Sequence, residues 1–160
     1  MALQLDGREF EEIRNGFKEM DKDSDGTISW EEFKNCLMDG KEDQDDAIEF
    51  YMKVYDLDKN GSIEFPEFLE VIAYLRYKKK PNKTQIKQMF TALDKNNKGV
   101  ISVEDIKRFY KIFSYDDLPD DNSINKLIQQ LDINGDGKIN LSEFSANYKK
   151  FERHSSNIRM

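Results

Sequence analysis

Four twelve-residue segments of this sequence carry oxygen-bearing side chains at alternate positions around a glycine. The segments are DKDSDGTISWEE from Asp21, DLDKNGSIEFPE from Asp56, DKNNKGVISVED from Asp94 and DINGDGKINLSE from Asp132. Their first residues lie 35, 38 and 38 positions apart, and each segment has Asp at position 1, Gly at position 6 and Ile at position 8. Four such matches at near-regular spacing indicate an internal repeat.

The chemistry of the repeat is that of a site for a hard cation. Calcium takes about six to eight oxygen ligands, and the EF-hand pattern supplies them from positions 1, 3 and 5, the backbone carbonyl of position 7 and a bidentate Glu at position 12. Three segments are complete by this rule, which predicts three bound Ca²⁺ ions, with Mg²⁺ left open as the occupant at rest. The predicted ligands are Asp21, Asp23, Asp25, Thr27 and Glu32 in the first loop, Asp56, Asp58, Asn60, Ser62 and Glu67 in the second, and Asp132, Asn134, Asp136, Lys138 and Glu143 in the fourth.

The third segment departs from the pattern at two ligand positions. Lys98 stands at position 5, and Asp105 at position 12 is one methylene shorter than Glu. An ammonium about 4 Å from a dication costs about 2 kcal/mol even with water-like screening. The Lys98 side chain would turn away from a bound dication, but a ligand would still be missing. We therefore expect this loop to be empty of metal. We expect it to be retained as a scaffold in which Ile101 pairs with Ile139.

The flanks of the loops have the apolar spacing of amphipathic helices. The isoleucine at position 8 predicts a short strand that pairs the first loop with the second and the third with the fourth. Ser29 with Glu32 is typical of a capping box for the following helix, and Asn140 with Glu143 approximates one. The predicted core residues before the loops are Ile13, Phe17, Met20, Ile48, Tyr51, Tyr55, Ile86, Phe90, Leu93, Ile124, Ile128 and Leu131; those after them are Phe33, Leu37, Phe68, Val71, Ile72, Ile106, Phe109, Tyr110, Phe144, Tyr148 and Phe151.

On these loops and flanks the chain resembles the calmodulin and troponin C superfamily, from about residue 8 to 152. The resemblance implies an all-α fold of two lobes, each a pair of helix–loop–helix EF-hands joined by a short two-stranded β bridge. The predicted parts are an N-terminal EF-hand pair over 1–75, a basic linker over 76–83, and a C-terminal EF-hand pair with a polar tail over 84–160. Pro81 is expected to stop or kink the incoming helix within the linker.

The charge of the sequence is unevenly distributed. Residues 1–75 hold 21 acidic and 8 basic residues, a net of −13, whereas residues 76–160 hold 11 and 17, a net of +6. The ligand sets account for most of the negative charge. The basic linker is interpreted as a solvated helix end, with contact to an acidic membrane surface as the weaker alternative. Nucleic acid is not an expected partner.

Other sequence features bear on the class of protein. We find no nucleophile elbow, phosphate loop or zinc spacing, and the carboxylates are accounted for as metal ligands, so an enzyme is not expected. The start, MALQLDGREFEE, is acidic and polar rather than typical of a signal peptide. The single cysteine, Cys36, excludes an internal disulfide and is expected to pack in a helix. Together these features favour a cytoplasmic protein.

Two lobes, a separable linker and one disabled loop favour a calcium sensor. Such a protein opens an apolar groove on binding calcium and takes up a target segment, here expected to be an amphipathic helix. A calcium buffer that changes shape little, or a light-chain-like structural subunit, stays open as an alternative. Of the internal methionines only Met89 lies in the second lobe, which favours a narrow range of targets because methionine makes a groove adaptable.

Overall fold

The computed structural model describes residues 5–38, 45–77, 80–113 and 118–155, without the side chains of 37–38, 74–77, 113 and 154–155. Over these ranges the fold consists of eight helices and two short antiparallel strand pairs, so the predicted all-α fold with β bridges is confirmed. The helices are α1 Gly7–Met20, α2 Trp30–Met38, α3 Asp45–Tyr55, α4 Phe65–Tyr77, α5 Lys83–Leu93, α6 Val103–Phe113, α7 Asp121–Leu131 and α8 Leu141–Ser155. The strands are β1 Thr27–Ile28, β2 Ile63–Glu64, β3 Val100–Ile101 and β4 Ile139–Asn140.

The chain divides into two compact units, Met1–Asn82 and Lys83–Met160. Each unit contains two helix–loop–strand–helix hands in succession. Asn82 belongs to the first unit, where its Nδ2 donates a hydrogen bond to Glu70 Oε1 at 2.9 Å. Of the predicted linker, residues 78–79 lie outside the described residues, so its role as a charged contact stays a prediction.

The strand pairs join the two loops of each unit as the sequence predicts. β1 pairs with β2 so that Ile28 faces Ile63, and β3 pairs with β4 so that Ile101 faces Ile139. All four isoleucines have 0% exposed surface. Two-residue strands are too short to be stable alone. Burial of their isoleucines in the core therefore keeps each pair of loops together.

Each unit has its own core, built from the predicted helix faces. In the first unit Phe17 of α1 packs edge-to-face on Phe65 and Phe68 of α4, with ring centroids 5.4 and 5.5 Å apart. In the second, Phe144 of α8 lies 5.4 Å from Phe151 and 5.9 Å from Phe90. The predicted core positions are buried except for the half-buried Tyr51, Ile72 and Ile86, while the side chain of Leu37 is outside the described set.

Two local features of the helices were not anticipated. Cys36 is exposed, so its expected packing role is wrong; of the described side chains of α2, Phe33 is the one buried in the core. At the start of α1, the Asp6 side chain accepts a hydrogen bond from Glu9 N at 2.8 Å. Glu9 Oε2 accepts one from Asp6 N at 3.0 Å. This capping box fixes the first turn of the helix that enters the first loop.

Candidate metal centres

The first loop is organised by the carboxylate of Asp21, which follows the last residue of α1 and is 8% exposed. Its Oδ1 accepts a hydrogen bond from Asp25 N at 3.1 Å, and its Oδ2 accepts one from Gly26 N at 3.0 Å. Gly26 has φ +92°, a left-handed conformation that glycine adopts without strain. The turn brings one oxygen each of Asp21, Asp23 and Asp25 within 4.8 Å of one another. Three of the predicted ligands therefore share one small volume.

Glu32, at position 12, connects the first loop to α2. Its Oε1 accepts hydrogen bonds from Lys22 N at 2.8 Å and Asp23 N at 3.3 Å, and its Oε2 accepts one from Ser29 N at 2.9 Å. Glu32 N donates to Ser29 Oγ at 3.3 Å, so the predicted capping box is confirmed. Hydrogen bonds from the backbone and side chain of Ser29 hold the pKa of Glu32 below its ordinary value.

The pKa of Asp23 moves in the opposite direction. The backbone N–H of Asp25 favours its charged form, but loss of solvent and the nearby carboxylates of Asp25, Glu32 and Asp21 outweigh that bond and raise the pKa. Carboxylates this close together repel one another when charged, and a bound divalent cation would offset that repulsion.

The second loop repeats this geometry. Asp56 Oδ2 accepts a hydrogen bond from Gly61 N at 2.9 Å, and Glu67 Oε1 accepts from Leu57 N at 2.7 Å and Asp58 N at 3.1 Å. One oxygen each of Asp56, Asp58 and Glu67 lie within 4.8 Å of one another. Burial raises the pKa of Glu67, which is 8% exposed. Here the position-12 carboxylate itself belongs to the compact group of acidic side chains.

The fourth loop has the same backbone scheme. Asp132 Oδ2 accepts from Gly137 N at 2.7 Å, and Glu143 Oε1 accepts from Ile133 N and Asn134 N, both at 3.0 Å. Glu143 Oε2 accepts from Asn140 N at 2.9 Å, while Glu143 N donates to Asn140 Oδ1 at 3.0 Å, which confirms the second predicted capping box. The start of the loop is thereby bonded to the first turn of α8.

The donor sets of these three loops fit calcium. In each, the side-chain oxygen at position 5 accepts a hydrogen bond from the N–H of position 7, which fixes the peptide chain where a carbonyl ligand is predicted. The N···O distances are 2.8 Å for Thr27, 2.9 Å for Ser62 and 2.9 Å for Lys138. Each loop offers carboxylate or amide oxygens and a position-12 glutamate, the ligands that calcium prefers. Of the fifteen predicted ligands, six are brought together within 4.8 Å among the described residues, three in the first loop and three in the second. The rest of the ligand sets, the fourth loop included, and the occupancy of all three loops stay predictions.

The third loop does not fit calcium. Lys98 Nζ lies 3.2 Å from Asp105 Oδ2 and 3.3 Å from Ser102 Oγ, so the side chain points into the loop. Asp105 is 4% exposed, and a buried carboxylate is costly without a counter-charge. Burial raises the pKa of Asp105, but the Ser102 bonds and the Lys98 ammonium together hold it below its ordinary value. A lysine ammonium therefore lies against the position-12 carboxylate of this loop.

The backbone of the third loop also differs at position 2. In the other three loops the position-12 carboxylate accepts a hydrogen bond from the N–H of position 2. Here Lys95 N donates to Leu93 O at 3.0 Å. Asp105 is one methylene shorter, and its described bonds go to Ser102 and Lys98.

The sequence pattern and the geometry together define an EF-hand protein. The family model of the EF-hand domain pair matches residues 10–73 and 83–149, and the chain belongs to this family. The EF-hand pair is a calcium-binding regulatory domain and not a catalytic one. Among the described helices, none has both the length and the apolar character required to cross a membrane.

The chain is similar to plant proteins named as calcium-dependent kinases. It is 33% identical over 108 residues to calcium-dependent protein kinase 10 and 32% identical over 108 residues to calcium-dependent protein kinase 32, both of Arabidopsis thaliana. It is 29% identical over 108 residues to calcium-dependent protein kinase 16 of Oryza sativa subsp. japonica. Each alignment covers 67% of this chain and 19%, 20% and 19% of the respective relative. The matched region therefore spans about a fifth of the length of these relatives.

Proposed function

We propose that this protein is a calcium sensor. It binds three Ca²⁺ ions, in the first, second and fourth loops, and the ions in the first unit open an apolar groove that takes up an amphipathic helix of a target protein. Mg²⁺ is the candidate occupant of these loops at resting calcium. The protein acts in the cytoplasm as a binding module and not as an enzyme.

The observation that carries this proposal is the position of Glu32 and Glu67. Both carboxylates lie on the helices that leave the loops, α2 and α4, and both are hydrogen-bonded to the backbone at the start of their loops. The same helices bury Phe33, Phe68 and Val71 in the core. A shift of these glutamates toward a bound ion therefore moves the helices that cover the apolar side chains. A sensor requires such a coupling in order to open, whereas a buffer binds calcium with little change of shape.

The names of the relatives also support a calcium-sensing role. Their names describe calcium-dependent kinases, and the region matched by this chain is a minor part of each. A module that converts calcium binding into contact with another polypeptide segment is consistent with such relatives. The target itself is defined here by chemistry only, as a helix with one apolar face.

A calcium titration with an environment-sensitive hydrophobic dye tests the proposal. Dye fluorescence should rise with calcium, and the emission of Trp30, a half-buried residue within the first loop, should change over the same range. Glu32→Gln should displace the Trp30 transition to higher calcium, whereas Glu31→Gln, at an exposed neighbouring position of α2, should leave it in place. Repeating the titration with magnesium present shows whether Mg²⁺ competes at rest.

Two outcomes would contradict the sensor. Dye binding that saturating calcium leaves unaltered would identify a buffer. Strong dye binding and target-helix binding that are already complete in a chelator would identify a light-chain-like subunit.

A further inference from the structure

We propose that the third hand is held closed by two of its own side-chain cations, Lys98 and Arg108, which makes it a calcium-independent clamp within the second unit. Both cations belong to the segment from the third loop into α6. Lys98 bonds to a buried carboxylate oxygen, and Arg108 bonds to backbone carbonyl oxygens at the end of α5. The clamp does not depend on whether the first unit opens.

The first cation closes the loop onto the helix that follows it. Lys98 Nζ donates to Asp105 Oδ2 at 3.2 Å and to Ser102 Oγ at 3.3 Å, and Ser102 Oγ donates to the same carboxylate oxygen at 2.8 Å. The Lys98 side chain is 40% exposed, whereas that of Asp105 is 4% exposed. The ammonium can therefore remain partly hydrated while it neutralises a buried charge on α6. In the other three loops the position-12 carboxylate is instead a predicted metal ligand.

The second cation joins the two helices of the hand. Arg108, on α6, donates through Nη2 to Ala92 O at 3.0 Å and to Leu93 O at 3.2 Å. These carbonyls are the last two of α5, where a positive charge is favoured by the helix dipole. Arg108 Nε is buried and has no hydrogen-bond partner among the described residues, which costs free energy. The guanidinium thus ties the end of the entering helix to the exiting one.

The loop between the two contacts has the turn of the complete loops. Lys98 N and Gly99 N donate to the two oxygens of Asp94 at 3.0 and 2.7 Å. Asn97 and Gly99 have φ +51° and +80°, so the turn is as sharp as in the complete loops. A closed third loop presents β3 to β4 without calcium. The consequence is a fourth loop that is partly ordered before its own ion binds.

Amide hydrogen exchange by NMR on the whole 160-residue chain, in a chelator and without added metal, tests the clamp. The probe is the N–H of Gly99, and the internal reference is the N–H of Gly26, which makes the equivalent bond to Asp21 in a loop that has Asp25 rather than a lysine at position 5. Lys98→Met keeps the unbranched aliphatic part of the side chain but removes its charge. It should speed Gly99 exchange by about tenfold, the effect of losing one hydrogen bond to a charged group at a partly exposed site. Lys98→Arg should keep the rate within about threefold, since the cation is retained.

Lys111→Met is the matched control, because it removes one exposed positive charge from α6 outside the loop. It should leave the Gly99 rate unchanged. Arg108→Met should speed Gly99 exchange without Lys98 being altered, because the end of α5 is then no longer tied to α6. The N–H of Leu127, whose side chain is fully buried in α7, reports on unfolding of the whole unit and should not change in step with Gly99.

The clamp would be overturned if Gly99 exchanged as fast as Gly26 in the chelated wild-type protein, if Lys98→Met left the Gly99 rate unchanged, or if Lys111→Met accelerated it equally. A parallel acceleration at Leu127 in Lys98→Met and Arg108→Met would also overturn it, since the two cations would then stabilise the unit as a whole rather than close the third hand.

Discussion

Glu143→Gln and Asp105→Asn form a matched pair that separates a metal ligand from a structural carboxylate. The two residues occupy position 12 of the fourth and third loops, and both are 4% exposed. Glu143 Oε1 accepts two backbone hydrogen bonds at the start of its loop, whereas Asp105 Oδ2 accepts from the Lys98 ammonium. Each substitution replaces a carboxylate by the amide of the same length. The two carboxylates therefore differ in the charge that each is proposed to neutralise, a calcium ion for Glu143 and the Lys98 ammonium for Asp105.

The magnitude follows from the charge removed. A carboxylate oxygen about 2.5 Å from a calcium ion is attracted by about 3 kcal/mol even with water-like screening. The loss of that charge in Glu143→Gln should weaken the fourth site by about 100-fold or more. Asp105→Asn should leave three ions bound at saturating calcium, because the third loop contributes no ion.

Isothermal titration calorimetry on both variants measures the stoichiometry and the affinity of each site, with circular dichroism as the check that the helices are retained. The reasoning is refuted if Asp105→Asn loses an ion while its helices persist. It is equally refuted if Glu143→Gln binds three ions with unchanged affinities.

Three further predictions concern the second unit. Lys98→Asp combined with Asp105→Glu should add a fourth ion and tighten the fourth site by about 5- to 150-fold, since coupling between paired loops is reciprocal; calorimetry that finds the new ion but an unchanged fourth site would show that the loops are uncoupled. Ile101→Ala should destabilise the unit by about 2–5 kcal/mol in thermal unfolding, whereas Ile133→Ala, at a residue 69% exposed, should change it by less than about 0.5 kcal/mol. Burial raises the pKa of Tyr110 above 10.0, so the contribution of the neutral phenol to stability is complete below that pH and is lost as the pH rises through the folded-state pKa. Tyr110→Phe should therefore reduce the loss of stability at alkaline pH, measured by urea unfolding. A pH dependence identical to that of the unsubstituted protein would contradict the assignment.

The parts of the fold that sequence predicts are those fixed by spacing. An Asp at position 1, a Gly at position 6 and an Ile at position 8 determine the turn and the strand partner, so the pairing of Ile101 with Ile139 could be predicted without the structure. The helix faces follow from the same periodicity. The capping box of Asp6 with Glu9 also had a readable signal, an acidic residue followed three positions later by Glu, which our sequence analysis did not use.

The contacts of long cationic side chains could not be predicted in this way. The sequence predicts only that Lys98 would turn away from a bound dication. In the folded chain the relevant neighbour is the buried Asp105 carboxylate, which attracts it. The contacts of Arg108 with the carbonyls of Ala92 and Leu93 span 16 and 15 residues, and they depend on how α5 and α6 cross. Neither contact follows from periodicity. Each depends on a buried carboxylate or carbonyl group that the tertiary fold places within reach of the cation.

The central claim, that three of the four loops bind calcium and the third does not, is tested most directly by native mass spectrometry of the wild-type chain over a calcium titration. The account predicts that the mass of the protein increases by up to three calcium ions and then stays constant at sub-millimolar free calcium. A fourth specifically bound ion under the same conditions would contradict it, because the Lys98 ammonium would then not exclude calcium from the third loop.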